Sequence, residues 1–215
     1  TFTKLANDIT IAVKIGGTRD PESNPRLRVA KQAAKTDNKP KDNVARAIDR
    51  GLGKLPGQSL EEVMYEGFGP GKVAFLVEGV TDNRQRTLQE VKNIFERGSG
   101  NLAGGGSVAY MFDRKGEIRV KGKGGGKEDE MLELIDLGAG DVEDYIEDNI
   151  QKYLVYTESP ELNTMGNKIT QASFGIESQE LIFKPNTLVP INETETAKKV
   201  LDFSQRLEDL DDVQK

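Results

Sequence analysis

Residues 51–80 read GLGKLPGQSLEEVMYEGFGPGKVAFLVEGV, and the hydrophobic period of the chain changes within them. Up to Gly51 apolar residues recur every three or four positions; from Glu62 they run as VMYEG, a turn FGPGK, and VAFLVEGV, the pattern of strand, turn and strand. The Gly- and Pro-rich segment between the two regimes, residues 51–58, reads as a linker. The chain is therefore predicted to be an α+β multidomain protein, helical before this stretch and mixed after it. Its 215 residues suit two or three small compact units.

Upstream, Phe2, Leu5, Ala6, Ile9, Ala12 and Val13 fall at helical spacing and Gly16-Gly17 ends the run. Asn24-Pro25 is a start signal, with an amide cap followed by proline at the first helical position; Leu27, Ala30 and Ala34 then form one face as far as Lys35. Lys39-Pro40 opens a third helix with Val44, Ala47 and Ile48 apolar and Gly51 as its stop. These three helices form an N-terminal domain, residues 1–56, whose core is thin in large side chains.

Downstream, Thr81 or Asp82 caps a helix carrying Leu88, Val91, Ile94 and Phe95. A glycine-rich loop, GSGNLAGGGS, precedes expected strands around VAYMF and EIRV. Residues 121–127 read as a Gly/Lys linker into a second α/β unit, with a helix around Met131–Ile135, strands VEDYIED and IQKYLVYTE, a helix opened by Pro160, and a strand ESQELIF. The pieces missing from the middle unit come last, as a helix over residues 193–207 and an edge strand at DDVQ. This predicts two ferredoxin-like domains, the third inserted in the second: residues 57–121 plus 188–215, and residues 122–187.

Charge is distributed unevenly. Residues 1–56 hold 12 Lys or Arg against 6 acids, a net of +6 within a chain whose net charge is −6. Such an asymmetry marks an electrostatic footprint confined to one domain. The candidate phosphate contacts are Arg26, Arg28, Lys31, Lys35, Lys39, Lys41, Arg46 and Arg50, with Arg84 and Arg86 on the middle domain. Solvated helix faces would account for the charge equally well. Acid clusters at Glu128–Glu130, Asp141–Asp148 and Glu208–Asp212 would repel phosphate, and none follows the order of a calcium loop. Among the aromatics, Tyr65, Phe75, Tyr110 and Phe112 fall in strand patterns, leaving Phe68 as the candidate exposed stacking platform.

The sequence contains neither Cys nor His, which removes thiolate nucleophiles, imidazole bases, ordinary triads and zinc sites. No catalytic residue, cofactor or metal site is expected. GFGPGK and GGGK have the wrong spacing for a Walker loop, and the first joins two strands. No run approaches a membrane span, and TFTKLANDIT lacks a secretory core, so the expected location is the cytoplasm.

Seven runs, in order, resemble the YebC/PmpR family, which includes the mitochondrial translational activator of cytochrome c oxidase. They are FTKL (2–5), GG with DPESNPRLR (16–28), KPKDNVARAIDRG (39–51), YEGFGPG (65–71), TDNRQRT (81–87), GNL with GSVAYMF (100–112) and LEDLDDVQ (207–214). The resemblance implies three domains with the third inserted in the second, and a transcriptional regulator that binds DNA. Other members act in translation on stalled ribosomes, which makes ribosomal RNA the alternative partner, and the acidic domains would hold protein partners. The family's usual basic start, with its Gly-His-Ser-Lys-Trp-like motif, is absent here, which implies a longer parent chain.

Overall fold

The computed structural model describes residues 2–57 and 59–215, which form two compact units. The first comprises residues 1–111 and 187–215; the second, residues 112–186, is inserted in it. The architecture is α+β and multidomain, with seven α-helices and two antiparallel sheets among the described residues.

Unit one opens with three helices, α1 (Phe2–Gly16), α2 (Pro25–Thr36) and α3 (Lys41–Gly51). Asn24 does double duty in placing α2. Its side-chain oxygen accepts from the Leu27 N–H, the expected cap, while its amide donates to the Ala12 carbonyl of α1 at 2.9 Å. Gly51 lets α3 approach α1, since a Cβ there would sit 2.6 Å from the Thr10 carbonyl oxygen, and the Thr10 hydroxyl donates to Ala47 O at 3.0 Å. The bundle core is Ile9, Ala12, Val13, Leu27, Ala30, Ala34, Ala47 and Ile48, small side chains for the most part. Part of what steadies so thin a core lies outside it. Ile11 packs with Leu60 and Val80, and the Lys14 ammonium donates to Leu60 O at 2.7 Å. The bundle thus belongs with the middle sheet to one compact unit.

That sheet has the order β2-β1-β3, from β1 (Glu61–Phe68), β2 (Ala74–Thr81) and β3 (Asn101–Ala103). The FGPGK segment is the β1–β2 connection, with Gly71 at φ 66°. Helices α4 (Arg84–Arg97) and α7 (Thr194–Glu208) contribute Val91, Phe95, Phe203 and Leu207 to its core, where Phe75, Phe95 and Phe203 meet edge to face with centroids 4.8–6.4 Å apart. Gly98 and Gly69 press on Phe203, where a Cβ would meet ring carbons at 2.4 and 3.0 Å. The DDVQ edge contributes a single bridge, Gly79 to Val213.

Two strand expectations shift. Of VAYMF only Phe112 lies in a strand: Ala109–Met111 is a 3-10 turn, and the strand on the other side of β1 from β2 is Asn101–Ala103, inside the segment expected as loop. Three residues are too few for a periodic signal, and Val108 is apolar because it plugs the core of a turn.

In unit two, β4 (Phe112–Lys121), α5 (Lys127–Asp136), β5 (Asp141–Glu147), β6 (Ile150–Glu158), α6 (Leu162–Gln171) and β7 (Gly175–Pro185) make a complete βαββαβ ferredoxin-like fold of order β5-β6-β4-β7. Strand β4, assigned from sequence to the middle domain, is central here, flanked by β6 and β7. The Gly/Lys run is misleading because it is a tight β4–α5 loop. Glu130 folds it, accepting from Lys123 N at 3.0 Å, Gly125 N at 2.8 Å and the Tyr153 hydroxyl at 2.7 Å. Burial raises the proton affinity of Glu130, but these hydrogen bonds and the Lys123 charge outweigh it and hold the carboxyl below its ordinary value.

Candidate nucleic-acid interface

The structure sorts the sequence-predicted cations into two groups. Lys31 and Lys35 lie one turn apart on α2; Lys41 and Arg46 lie on α3. No side chain of these four forms a salt bridge or hydrogen bond among the described residues, and all but the half-buried Lys31 are exposed. The other six each face a carboxylate. Arg26 pairs with Glu62, Arg28 with Glu22 at 3.6 Å, Lys39 with Asp37 at 3.7 Å, Arg50 with Asp82 at 3.7 Å, and Arg84 with Glu61 at 3.3 Å.

Arg86 is held most firmly. Its guanidinium reaches Asp212 at 2.7 Å and Asp82 at 2.9 Å, and those hydrogen bonds push its proton affinity further above the usual arginine range. Asp212 also accepts from the Thr87 and Thr81 hydroxyls at 2.7 and 3.2 Å. Sequence reasoning could not separate Arg86 from the other candidate cations, because its partner lies 126 positions away.

Arg26 and Arg50 also tie the bundle to the middle domain, through Glu62 of β1 and Asp82 beyond β2, and Lys4 adds a bond to the Glu208 carbonyl of α7. Both pairs are about half exposed, with side-chain accessibilities of 35–48%. Such pairs contribute about 0–1 kcal/mol each.

Unit two offers phosphate little. It carries 16 acids and 9 Lys or Arg. Seven of those cations are in ion pairs, Arg114 lies over the Phe183 ring at 4.4 Å, and Lys168 donates to Leu137 O. The sheet face away from its core holds a charge mesh in which Lys152, with a side chain only 7% exposed, lies between Glu147 at 2.6 Å and Glu177 at 2.9 Å. A ferredoxin-like sheet that binds single strands presents aromatics on that open face; here Tyr156 is buried, with the Lys184 ammonium 3.9 Å from its ring centroid.

The exposed aromatic is elsewhere. Phe68 is half-buried, whereas Tyr110 is 69% exposed, the highest value of any aromatic among the described residues. Glu66 of β1 fixes the loop that carries it. This buried carboxylate accepts from Ala109 N at 2.6 Å, Val108 N at 3.1 Å and Gly106 N. Among the described residues no group of three or more acids is arranged to hold a metal ion, and no helix is long and apolar enough to cross a membrane.

Fold and surface together define a multidomain α+β protein with a small basic helical face and an inserted acidic ferredoxin-like unit. Family models match nearly all of it: "TACO1/YebC protein N-terminal domain" over residues 1–54 and "TACO1/YebC second and third domain" over residues 60–215. The chain belongs to the TACO1/YebC family. Similar proteins include those of Persephonella marina, 46% identical over all of this chain and 84% of the relative, and Geobacter sulfurreducens, 45% identical over 99% of this chain and 83% of the relative. Both bear the name "Probable transcriptional regulatory protein". The crystal structure of a conserved hypothetical protein from Aquifex aeolicus superposes with a TM-score of 0.90 at 41% identity, covering all of this chain and 86% of the other.

Proposed function

We propose that the chain is a non-catalytic, cytoplasmic nucleic-acid-binding regulator, a DNA-binding transcription factor that holds phosphates with Lys31, Lys35, Lys41 and Arg46 of the bundle. The observation that carries this reading is that these four cations have no salt-bridge partner among the described residues, on a chain where the other predicted contacts are already engaged. Arg26, Arg28, Lys39, Arg50 and Arg84 are then secondary contacts that change partner on binding, and Arg86 is structural. The names of the relatives support a regulatory role, and the absence of Cys and His argues against most enzyme chemistry.

The test is a titration of duplex DNA at several salt concentrations with variants that remove the four cations one at a time. Deleting a cation that neutralises one phosphate flattens the salt slope by about 0.9. Slopes unchanged in all four variants would remove the bundle from the interface. The same face also suits ribosomal RNA, and exposed Tyr110 is the observation that favours this second reading. Competition between intact ribosomes and duplex DNA at physiological salt separates the two.

A further inference from the structure

We infer that Tyr110 is a stacking platform for an unpaired nucleobase, presented by a turn that Glu66 locks in place. The inference rests on the nucleic-acid reading above and adds to it the chemistry of the ligand, a base free to leave its stack, as in an RNA loop or melted DNA.

Three observations converge. The first is the exposure of Tyr110, 69% at a position where sequence pattern expects strand core. The second is the rigidity of its support. Val108, fully buried, anchors the turn from below; Met111 N closes it on Val108 O at 2.9 Å; Ser107 N and Oγ both donate to Gly104 O, at 3.2 and 2.6 Å; and the Glu66 carboxylate gathers three backbone amides of the segment. A platform ordered before its ligand arrives loses little conformational entropy on binding. The third is the bare run before it. Side chains at Gly104 and Gly106 would meet nothing within 4 Å, and one at Gly105 only Glu66 Oε2 at 3.6 Å. Packing therefore leaves the outer side of this segment open, so another backbone can approach closely beside the ring. Stacking on one aromatic ring tolerates any base, because every base has a π-face.

The experiment measures binding of the full chain to three fluorescent oligonucleotides of about twelve residues, oligo(U), oligo(dT) and a mixed-sequence duplex, by anisotropy. Tyr110→Ala is expected to weaken oligo(U) and oligo(dT) about tenfold or more and to leave the duplex unchanged. Tyr110→Phe, which keeps the ring, is expected to bind as the parent does. Glu66→Gln, which keeps the ring and loosens its turn, is expected to weaken the single strands while sparing the duplex. Loss confined to oligo(U) identifies RNA as the source of the base, and loss confined to oligo(dT) identifies melted DNA; either supports the platform. Equal loss on the duplex, no loss on any strand, or a Tyr110→Phe variant as weak as Tyr110→Ala overturns it. If the parent binds the duplex alone, the platform fails and the phosphate reading stands; if the parent binds none of the three, both fail.

Discussion

Replacing Asp212 by Ala is expected to loosen the C-terminal tail far more than removing its arginine partner does. The tail is held in two ways. Its backbone reaches β2, with Val80 N donating to Asp212 O at 2.8 Å and Gln214 N to Glu78 O at 2.7 Å, while Val213 is buried at 1% exposure. The Asp212 carboxylate, 12% exposed, gathers the fully buried Thr81 and Thr87 hydroxyls and Arg86. A hydrogen bond to a charged group contributes about 1.5–3 kcal/mol when desolvated. The hydroxyls also lie 2.8 Å from each other, so they keep a partner after the change and the loss falls near the low end of the range for each. Arg86 is 45% exposed, which limits its ion pair to about 1 kcal/mol. The sum is about 4 kcal/mol for Asp212→Ala, about 1.5 from each hydroxyl and about 1 from the ion pair, against about 1 kcal/mol for Arg86→Ala, with Asp212→Asn between them because it retains an acceptor. Hydrogen exchange at the Val80 and Glu78 amides under increasing urea reads the tail directly. Equal losses from Asp212→Ala and Arg86→Ala would show that the ion pair, and not the hydroxyl cluster, holds the tail. Arg86→Ala is also expected to leave the salt slope of nucleic-acid binding untouched, and a change of about one unit would return Arg86 to the interface.

Other expectations follow from the same geometry. Glu62→Gln frees Arg26 and removes a repelling charge; affinity for duplex DNA should rise severalfold at low salt, and more than for Asp42→Asn, which removes a charge without freeing an arginine. Unit two should lose stability on both sides of neutrality. Glu130 has its carboxyl held below the ordinary value of 4.5, so its contribution is complete above that value and is lost as pH falls below it. Burial and the bond to Glu130 push the Tyr153 phenol up from 10.0, so its contribution is complete below that value and is lost as pH rises past it. Tyr153→Phe should cost about 1–2 kcal/mol at neutral pH and weaken the dependence on either side, as thermal melts across pH would show. Gly51→Ala should separate α1 from α3, lowering the melting temperature and weakening duplex binding together, because the cation spacing depends on that close approach.

What was legible in the sequence was what local chemistry writes. Asn24-Pro25 announced α2, the change of period at Glu62 announced the sheet, and Thr194–Glu208 was recognisable as a helix detached from the domain it completes. What failed was non-local. Lys121–Lys127 resembled a linker because glycines dominate it, and only Glu130 and Tyr153, packed against it in space, make it a structured loop. Tyr110 resembled a core residue because the apolar run around it mimics a strand, and only the reach of Glu66 across to that segment turns the chain and leaves the ring outside.

The same distinction governs the candidate site. A count of charge over residues 1–56 locates a basic domain, but pairing decides how much of that charge an outside anion can use, and pairing is written in distant carboxylates: Glu62, Asp82 and Glu61 for Arg26, Arg50 and Arg84. An arginine that already faces a carboxylate would gain only the difference between two anions when phosphate arrives, whereas Lys35, Lys41 and Arg46 would gain the whole interaction and Lys31, whose charge already favours the Asp20 carboxylate, somewhat less. These four therefore should carry most of the salt dependence, and the paired ones should tune it. For Arg26 and Arg50, exchanging carboxylate for phosphate would also release two of the ties between bundle and middle sheet, so on the proposed reading binding at the basic face and the grip of the bundle on β1 and β2 would be coupled through the same two side chains.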